Sequence, residues 1–151
     1  NNIKTFFEKV IDDAIKNGHG NLIGIVDDSE DAITKLKAEI NGNGGIYLSN
    51  PIDFELLITE SETHKDNQSS IDLKAHSSLL KSMLNHDGIT LISNKGKVLG
   101  YHILIDSYLK EGDVVTGGAR SKALKSMENC NLFTFCFYKS QDGNVKIWQK
   151  K

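Results

Sequence analysis

A glycine-rich turn in the second half of the chain combines the residue types that bind phosphate. Its sequence is Gly117-Gly118-Ala119-Arg120-Ser121-Lys122, and a stretch that favours a helix follows it. Glycines let a backbone approach a ligand closely, and the free N–H groups at a helix N-terminus attract phosphate. Arg120 is the only arginine beside seventeen lysines, and its planar fork can hold a phosphate through two hydrogen bonds. The pattern predicts a phosphate-binding loop, although alone it is more often an ordinary helix-opening turn.

Charge is divided unevenly along the chain. Residues 1–75 carry 7 lysines against 14 acidic residues, a net charge of −7, whereas residues 76–151 carry 11 basic against 6 acidic residues, a net charge of +5. An anionic ligand is therefore expected to prefer the second half. The basic residues form no run dense enough to indicate binding to duplex nucleic acid.

Length and composition indicate one globular domain over residues 1–151. The chain begins at Asn1 without a methionine, and we expect it to be a piece of a longer protein. No apolar run approaches the ~20 residues that span a bilayer, so we expect a cytoplasmic domain with no membrane partner. Cys130 and Cys136 are too few for a disulfide framework and are expected to be reduced, buried or semi-buried side chains.

The histidines and a lone Asp-Gly pair are weaker signals. His19 lies between two glycines, where a histidine usually makes local hydrogen bonds, and His86 lacks a second histidine at helical spacing that would suggest a metal site. Both are predicted to be structural. Asp87-Gly88 is by itself a turn signal. The remaining histidines have no neighbouring ligand cluster: His64, His76 and His102.

Helix and strand patterns alternate in the first half of the chain. Gly18 has the position of a C-terminal cap for the first helix, Ser29 can cap the second, and residues 41–45 end it. The predicted elements are a helix over 3–15, a buried strand over 22–26, a helix over 32–40, a strand over 46–48, either a strand or a helical turn over 54–58, and an exposed loop over 59–70.

From residue 71 onward the apolar pattern changes from the helical to the strand period. The predicted elements are a helix over 71–84, a hairpin of 89–93 and 98–105 that turns at Gly96, a helix over 119–128, and a second hairpin of 132–138 and 145–148. Such an alternation indicates an α/β domain.

The order and spacing of three segments resemble the diadenylate cyclase domain family. Over about 60 residues they are Asp87-Gly88-Ile89, Gly118-Ala119-Arg120-Ser121-Lys122-Ala123 and Tyr138-Lys139-Ser140-Gln141-Asp142-Gly143. The family has an Asp-Gly-Ala motif, a Gly-Thr-Arg-His-Arg motif followed by alanine, and a Ser-Glu-Glu segment before a glycine turn. With the change of period, the resemblance implies a mixed, strongly twisted central sheet with helices on both faces and one cleft where Asp87 and Gly118 converge.

The resemblance also implies a role for each matching residue. Asp87 would contact a metal ion and a ribose hydroxyl, with Mg²⁺ or Mn²⁺ as candidate ions, and would be catalytic in an active enzyme. In the family two domains meet face to face, each holding one ATP, and two adenylyl transfers make cyclic di-AMP. The residues implied to hold nucleotide or phosphate are Gly88, Gly117, Gly118, Ala119, Arg120, Ser121, Lys122 and Ser140.

Departures from the family motifs favour binding over catalysis. They are Ile89 for alanine, Ala119 for threonine, Ser121 for histidine, Lys122 for the second arginine and Gln141 for the first glutamate. Adenylyl transfer depends on positioned charge, and the binding charges are better kept than the catalytic groups. The leading hypothesis is therefore a nucleotide-binding sensor domain on a diadenylate-cyclase-like fold, with ATP or a cyclic dinucleotide as ligand.

Two other functions remain open from the sequence. One is an active but divergent diadenylate cyclase that makes cyclic di-AMP from two ATP molecules. The other is an interaction module without a ligand. A second copy of the domain and a fused effector domain are the protein partners left open.

Overall fold

The computed structural model of the protein describes residues 2–16, 20–41, 44–64 and 67–151. Its helices are α1 (Asn2–Ile15), α2 (Ala32–Ile40), α3 (Phe54–His64), α4 (Asn67–Leu84) and α5 (Ala119–Asn129). Its strands are β1 (Asn21–Val26), β2 (Ile46–Asp53), β3 (Ile89–Ser93), β4 (Lys97–Ile103), β5 (Phe133–Lys139) and β6 (Val145–Gln149). Within these ranges no helix is both long enough and apolar enough to cross a membrane.

The strands form one mixed sheet in the order β2-β4-β3-β1-β5-β6. β1 and β3 are parallel, whereas the other neighbouring strands are antiparallel. A parallel pair needs a crossover connection, and the segment from α2 to α4 supplies it. The predicted mixed α/β architecture is confirmed.

Alternating side chains along β1 divide the core between the two faces of the sheet. Leu22 and Val26 pack with residues of α2 and α5, and we call this side the α5 face. Ile23 packs with residues of α1, α3 and α4, and we call this side the α4 face. Because successive strand residues point to opposite faces, one short apolar strand anchors helices on both sides. The prediction of helices on both faces is confirmed.

Both predicted hairpins form. Gly96 has a φ of +86° in the turn between β3 and β4, and its N–H donates to the carbonyl oxygen of Ser93 at 3.0 Å. β5 and β6 pair around the turn at residues 140–144. Both turns could be predicted from the sequence because glycine readily takes a positive φ.

The predicted exposed loop at residues 59–70 is wrong. Apart from residues 65–66, which lie outside the described ranges, this stretch belongs to α3 and α4. Its polar side chains face water or pair along the helix, as in the 2.9 Å hydrogen bond from Gln68 Nε2 to Asp72 Oδ1. The helices are held by buried residues outside the polar stretch, such as Phe54 and Leu80. Tertiary packing therefore overrides a locally weak helical pattern.

The predicted helix caps have different outcomes. Gly18 and His19 lie outside the described residues. Ser29 does not cap α2, because its hydroxyl donates to Asp31 Oδ1 at 2.7 Å and Asp31 is the N-cap residue. The predicted end of α2 is confirmed, since Asn41 takes a left-handed φ of 52°.

The weak patterns after α2 become a long edge strand and a helix. β2 extends from the predicted strand through Pro51 to Asp53. Proline is tolerated there because β2 lies at the edge of the sheet. The open choice at residues 54–58 resolves as helix, and the Asp53 carboxylate accepts a hydrogen bond from the Leu56 N–H at 3.1 Å in the first turn.

The two cysteines lie in the core on the α5 face. Cys130 and Cys136 are both buried free thiols, as predicted. Burial raises the pKa of each thiol, so both remain protonated at neutral pH.

Candidate functional site

Predicted site residues meet at one edge of the sheet. The parallel strands β1 and β3 begin at this edge, and their antiparallel neighbours β4 and β5 end there. On the α5 face of this edge lies a cavity of about 780 Å³ that Asp87 and the glycine turn before α5 both line. This volume lies within the range of roughly 300–1,000 Å³ that small-molecule sites occupy.

The cavity has an apolar inner wall and a largely polar opening. Apolar side chains from the strand ends, the segment after β4 and α5 form the wall: Leu22, Ile89, Ile103, Ile105 and Ala123. Exposed polar and charged residues surround the opening: Asp87, Thr116, Gln141, Asp142, Asn144 and Lys146. This division suits a ligand that has a ring system and a charged group.

The start of α5 presents free backbone donors to the cavity. Gly117 has a φ of +107°, which favours glycine. Gly118 is the N-cap residue, and it has no side chain that could cap the N–H groups of the first turn. The first helical hydrogen bond runs from Lys122 N–H to the Gly118 carbonyl oxygen at 3.3 Å. The N–H groups of residues 119–121 precede the first possible intrahelical acceptors, and these residues line the cavity. They create a positive end that favours an anion.

Arg120 is held between Asp87 and the backbone of Gly20. Its Nη2 donates to Asp87 Oδ1 at 3.0 Å, and its side chain is 27% exposed against 79% for that of Asp87. A Cβ atom added to Gly20 would lie 2.5 Å from Arg120 Cζ. The guanidinium therefore packs directly on a glycine, and that glycine sets its position.

Asp87 lies in a turn that a hydrogen bond from β4 stabilises. Gly88 has a φ of +91°, and the Asp87 carbonyl oxygen accepts a hydrogen bond from His102 Nδ1 at 2.7 Å. His102 itself has a positive φ of 53°. Sequence reasoning missed this role of His102, because an isolated histidine in a strand carries no signal for a partner 15 residues away.

Ser121 faces the cavity but makes a hydrogen bond within the protein. Its hydroxyl donates to Tyr138 Oη at 3.2 Å, and both residues are buried. Lys146 Nζ lies 5.7 Å from the centroid of the Tyr138 ring. Ser121 therefore fixes the cavity wall, while Lys146 brings a second cation to the opening.

Ser140 shapes the turn that forms one side of the opening. Its hydroxyl oxygen accepts the Asn144 N–H at 3.0 Å, and its carbonyl oxygen accepts the Gly143 N–H at 3.1 Å. The Ser140 hydroxyl can still donate to a ligand, because only its acceptor side is used in this turn.

Lys122 is the predicted site residue that does not line the cavity. Helix residues are about 100° apart around the axis, so the side chains that flank it can face the cavity while Lys122 points away. Its side chain is exposed. The structure otherwise brings together the predicted residues Asp87, Gly88, Gly117, Gly118, Ala119, Arg120, Ser121 and Ser140.

Potential metal ligands are sparse at this site. In the described part of the chain, no three His, Cys, Asp or Glu side chains form a group that could hold a metal ion. The carboxylates that line the cavity are Asp87, which is paired with Arg120, and Asp142.

The connection from β4 to α5 is fastened to α5 by polar contacts. Asn129 Nδ2 donates to the Tyr108 carbonyl oxygen and to Asp113 Oδ2, both at 2.9 Å, and the Tyr108 N–H donates to Ser126 Oγ at 2.9 Å. Hydrogen bonds from the Lys110 N–H and from Asn129 lower the pKa of Asp113. Because the folded-state pKa is lowered, this anchor stabilises the fold above the ordinary aspartate pKa and is lost as the pH falls through the folded-state pKa.

Removing the Asn129 amide should loosen this connection. We expect Asn129→Ala to lower the free energy of unfolding by about 1 kcal/mol, because the hydrogen bonds from its amide to the Tyr108 carbonyl oxygen and to Asp113 are lost. Urea denaturation of both proteins measures the change. Gln149→Ala, at an exposed position of the edge strand β6, is the control and should stay within about 0.5 kcal/mol. Equal stabilities of the two variants would contradict the anchoring role.

Sequence reasoning also missed Gly20, Tyr138 and Lys146 as parts of the site. Their assignment depends on strand register, which places Tyr138 opposite Lys146. The alternation of Lys146 with Val145 and Ile147 is the signal that could have shown which residues of β6 share a face. No such signal marks Gly20, because its contact with Arg120 is between residues 100 positions apart.

No protein-family model matches the sequence, and no curated protein matches it at a significant level. The candidate site therefore depends on its geometry and on the motif resemblance.

Proposed function

We propose that the domain is a nucleotide sensor on a diadenylate-cyclase-like fold and that the 780 Å³ cavity binds the nucleotide. The observation that carries the proposal is the convergence of Arg120, the free start of α5 and Lys146 on a cavity with an apolar inner wall. The positive groups provide contacts for phosphate, and the apolar wall provides contacts for a base or sugar.

Charge balance at the cavity supports a divalent cation as a companion of the phosphates. The charged side chains that line it are two cations, Arg120 and Lys146, and two carboxylates, Asp87 and Asp142. Phosphate beside the Asp87 carboxylate would be repelled unless a cation lies between them. Mg²⁺ is commonly bound by one or two carboxylates together with substrate phosphates, so Asp87 is the protein ligand we propose for Mg²⁺ or Mn²⁺.

The departures from the cyclase motifs support binding without efficient turnover. Ala119, Ser121 and Gln141 all line the cavity, where the family has threonine, histidine and glutamate. Ser121 already donates its hydroxyl to Tyr138. The cavity therefore offers uncharged groups at these positions, whereas adenylyl transfer needs charge placed against the reacting phosphates.

Thermal shift with a nucleotide panel, with and without Mg²⁺ or Mn²⁺, tests this function. A bound nucleotide should stabilise the domain by about 2.7 kcal/mol at a concentration one hundred times its Kd. Chromatography of the same ATP mixtures should show little or no cyclic di-AMP. Formation of cyclic di-AMP that Asp87→Asn abolishes would establish the divergent cyclase instead, and a panel without any stabilising nucleotide would leave the ligand-free interaction module.

Asp87→Asn should have opposite effects in the absence and presence of metal. Without metal, we expect ATP to bind about two- to fivefold more tightly, because Arg120 is freed and a negative charge is removed. With Mg²⁺, binding should weaken because the proposed metal ligand is lost. Isothermal titration measures both affinities.

Asp142→Asn is the matched control for this prediction. It removes the same charge from the cavity lining but leaves the ion pair between Asp87 and Arg120. It should therefore not reverse the sign of its effect when Mg²⁺ is added. A change of the same sign in both conditions for Asp87→Asn would contradict its role as metal ligand.

A further inference from the structure

A second cavity adjoins the candidate nucleotide site. Its volume is about 430 Å³, and it shares Thr116, Ser121 and Lys146 with the first cavity. Residues 114–115, α5 and β6 supply its other walls. Because three residues line both cavities, the two cavities adjoin beside Lys146.

Strand geometry brings a cation and an indole ring to this second cavity. Lys146 and Trp148 lie on the same face of β6, opposite Tyr138 and Cys136 of β5. Lys146 lines both cavities, whereas Trp148 lines only the second. Lys146 therefore lies where the two cavities adjoin, and Trp148 belongs to the second cavity alone.

The other residues that line the second cavity are apolar, apart from one cation and one carboxylate whose charges balance. Val114, Leu124 and Ile147 contribute apolar surface. Lys125 and Glu128 are opposite in sign, and Lys125 is paired with Asp113 at 3.9 Å. Lys146 is thus the charged group placed at the junction of the two cavities.

We propose that the second cavity is a subsite for a second nucleoside, so that the ligand class of this domain is a dinucleotide. This inference rests on the proposed function of the first cavity. A cation between two cavities with apolar walls fits a molecule in which phosphate joins two ring systems, and bases stack favourably on aromatic side chains. The second base lies against Trp148, and the phosphate that links the two nucleosides lies beside Lys146.

Trp148 is the only tryptophan in the chain, so its fluorescence reports on the second cavity. The probes are AMP and the linear dinucleotide pApA, together with GMP and pGpG. For the base that binds, we expect the dinucleotide to bind about tenfold more tightly than the monophosphate, the order of one stacked base. The dinucleotide should also change Trp148 fluorescence, whereas the monophosphate should leave it unchanged.

A carboxylate placed in the second cavity separates the two subsites. Val114 is 85% exposed, so Val114→Asp should fold normally. It should weaken pApA about tenfold and leave AMP within about twofold. Ile71→Asp, at a 57% exposed position of α4, is the control and should change neither affinity, because α4 packs on the opposite face of the sheet from both cavities.

The outcomes distinguish this inference from the proposed function. Equal affinities for monophosphate and dinucleotide, with unchanged Trp148 fluorescence, would overturn the second subsite and leave the nucleotide site standing. If neither probe class binds, the second subsite is overturned, and the proposed function is overturned with it only if ATP and the rest of the nucleotide panel also fail to bind.

Discussion

Arg120→Ala should weaken the binding of phosphate-bearing nucleotides about 10- to 100-fold while the domain stays folded. A hydrogen bond to a charged group contributes about 1.5–3 kcal/mol, and 1.4 kcal/mol corresponds to a tenfold change in affinity. The ion pair with Asp87 contributes little to folding, because the Asp87 side chain is 79% exposed and solvent screens the interaction. Isothermal titration with ATP and Mg²⁺ measures the affinity, and thermal denaturation measures the fold.

Arg120→Lys is the matched variant for this prediction. Lysine keeps the positive charge but loses the planar fork, so it should recover part of the lost affinity. Lys122→Ala is the second control, because Lys122 does not line the cavity and should contribute less than Arg120. If Arg120→Ala binds ATP as tightly as the unmodified domain, Arg120 is not a phosphate ligand.

Gly20→Ala should reproduce much of the loss of nucleotide affinity caused by Arg120→Ala, although the arginine is still present. The three atoms nearest to an added Cβ all belong to the Arg120 guanidinium, at 2.5–2.7 Å. The Gly20 backbone lies outside the left-handed region, so alanine meets no backbone strain there. The flexible arginine must move instead, and stability should change by less than about 1 kcal/mol.

A double-mutant cycle isolates the positioning role of Gly20. Once Arg120 is alanine, Gly20→Ala should cause no further loss of affinity, because the displaced group is gone. Gly44→Ala is the control exchange, since its nearest neighbour would be Leu104 Cβ at 3.9 Å and no clash results. Additive losses in the double variant would show that Gly20 acts on the ligand by another route.

The sheet and most helices could be predicted because their local patterns agree with their tertiary surroundings. The strand at 22–26 is bounded by turn residues and is buried, and Gly96 fits the hairpin turn. The stretch at 59–70 could not be predicted, because its helices are stabilised by contacts of Phe54 and Leu80, which lie outside it.

The candidate site was predictable where it follows the order of the motifs. Asp87 and Arg120 were expected at one cleft, and Arg120 Nη2 lies 3.0 Å from Asp87 Oδ1. Contacts across the sheet could not be anticipated in the same way. Tyr138 and Lys146 meet through the register of β5 and β6, and Arg120 meets Gly20 through packing, neither of which a single sequence specifies.

An NMR titration of the labelled domain with ATP and Mg²⁺ tests nucleotide binding at this cavity most directly. We expect saturable shifts that are largest for the backbone amides of residues 117–121 and of Gly88, because these residues line the cavity. Nucleotide binding at this cavity would be contradicted if no nucleotide in the panel produced saturable shifts. It would also be contradicted if the shifts were confined to residues on the α4 face of the sheet.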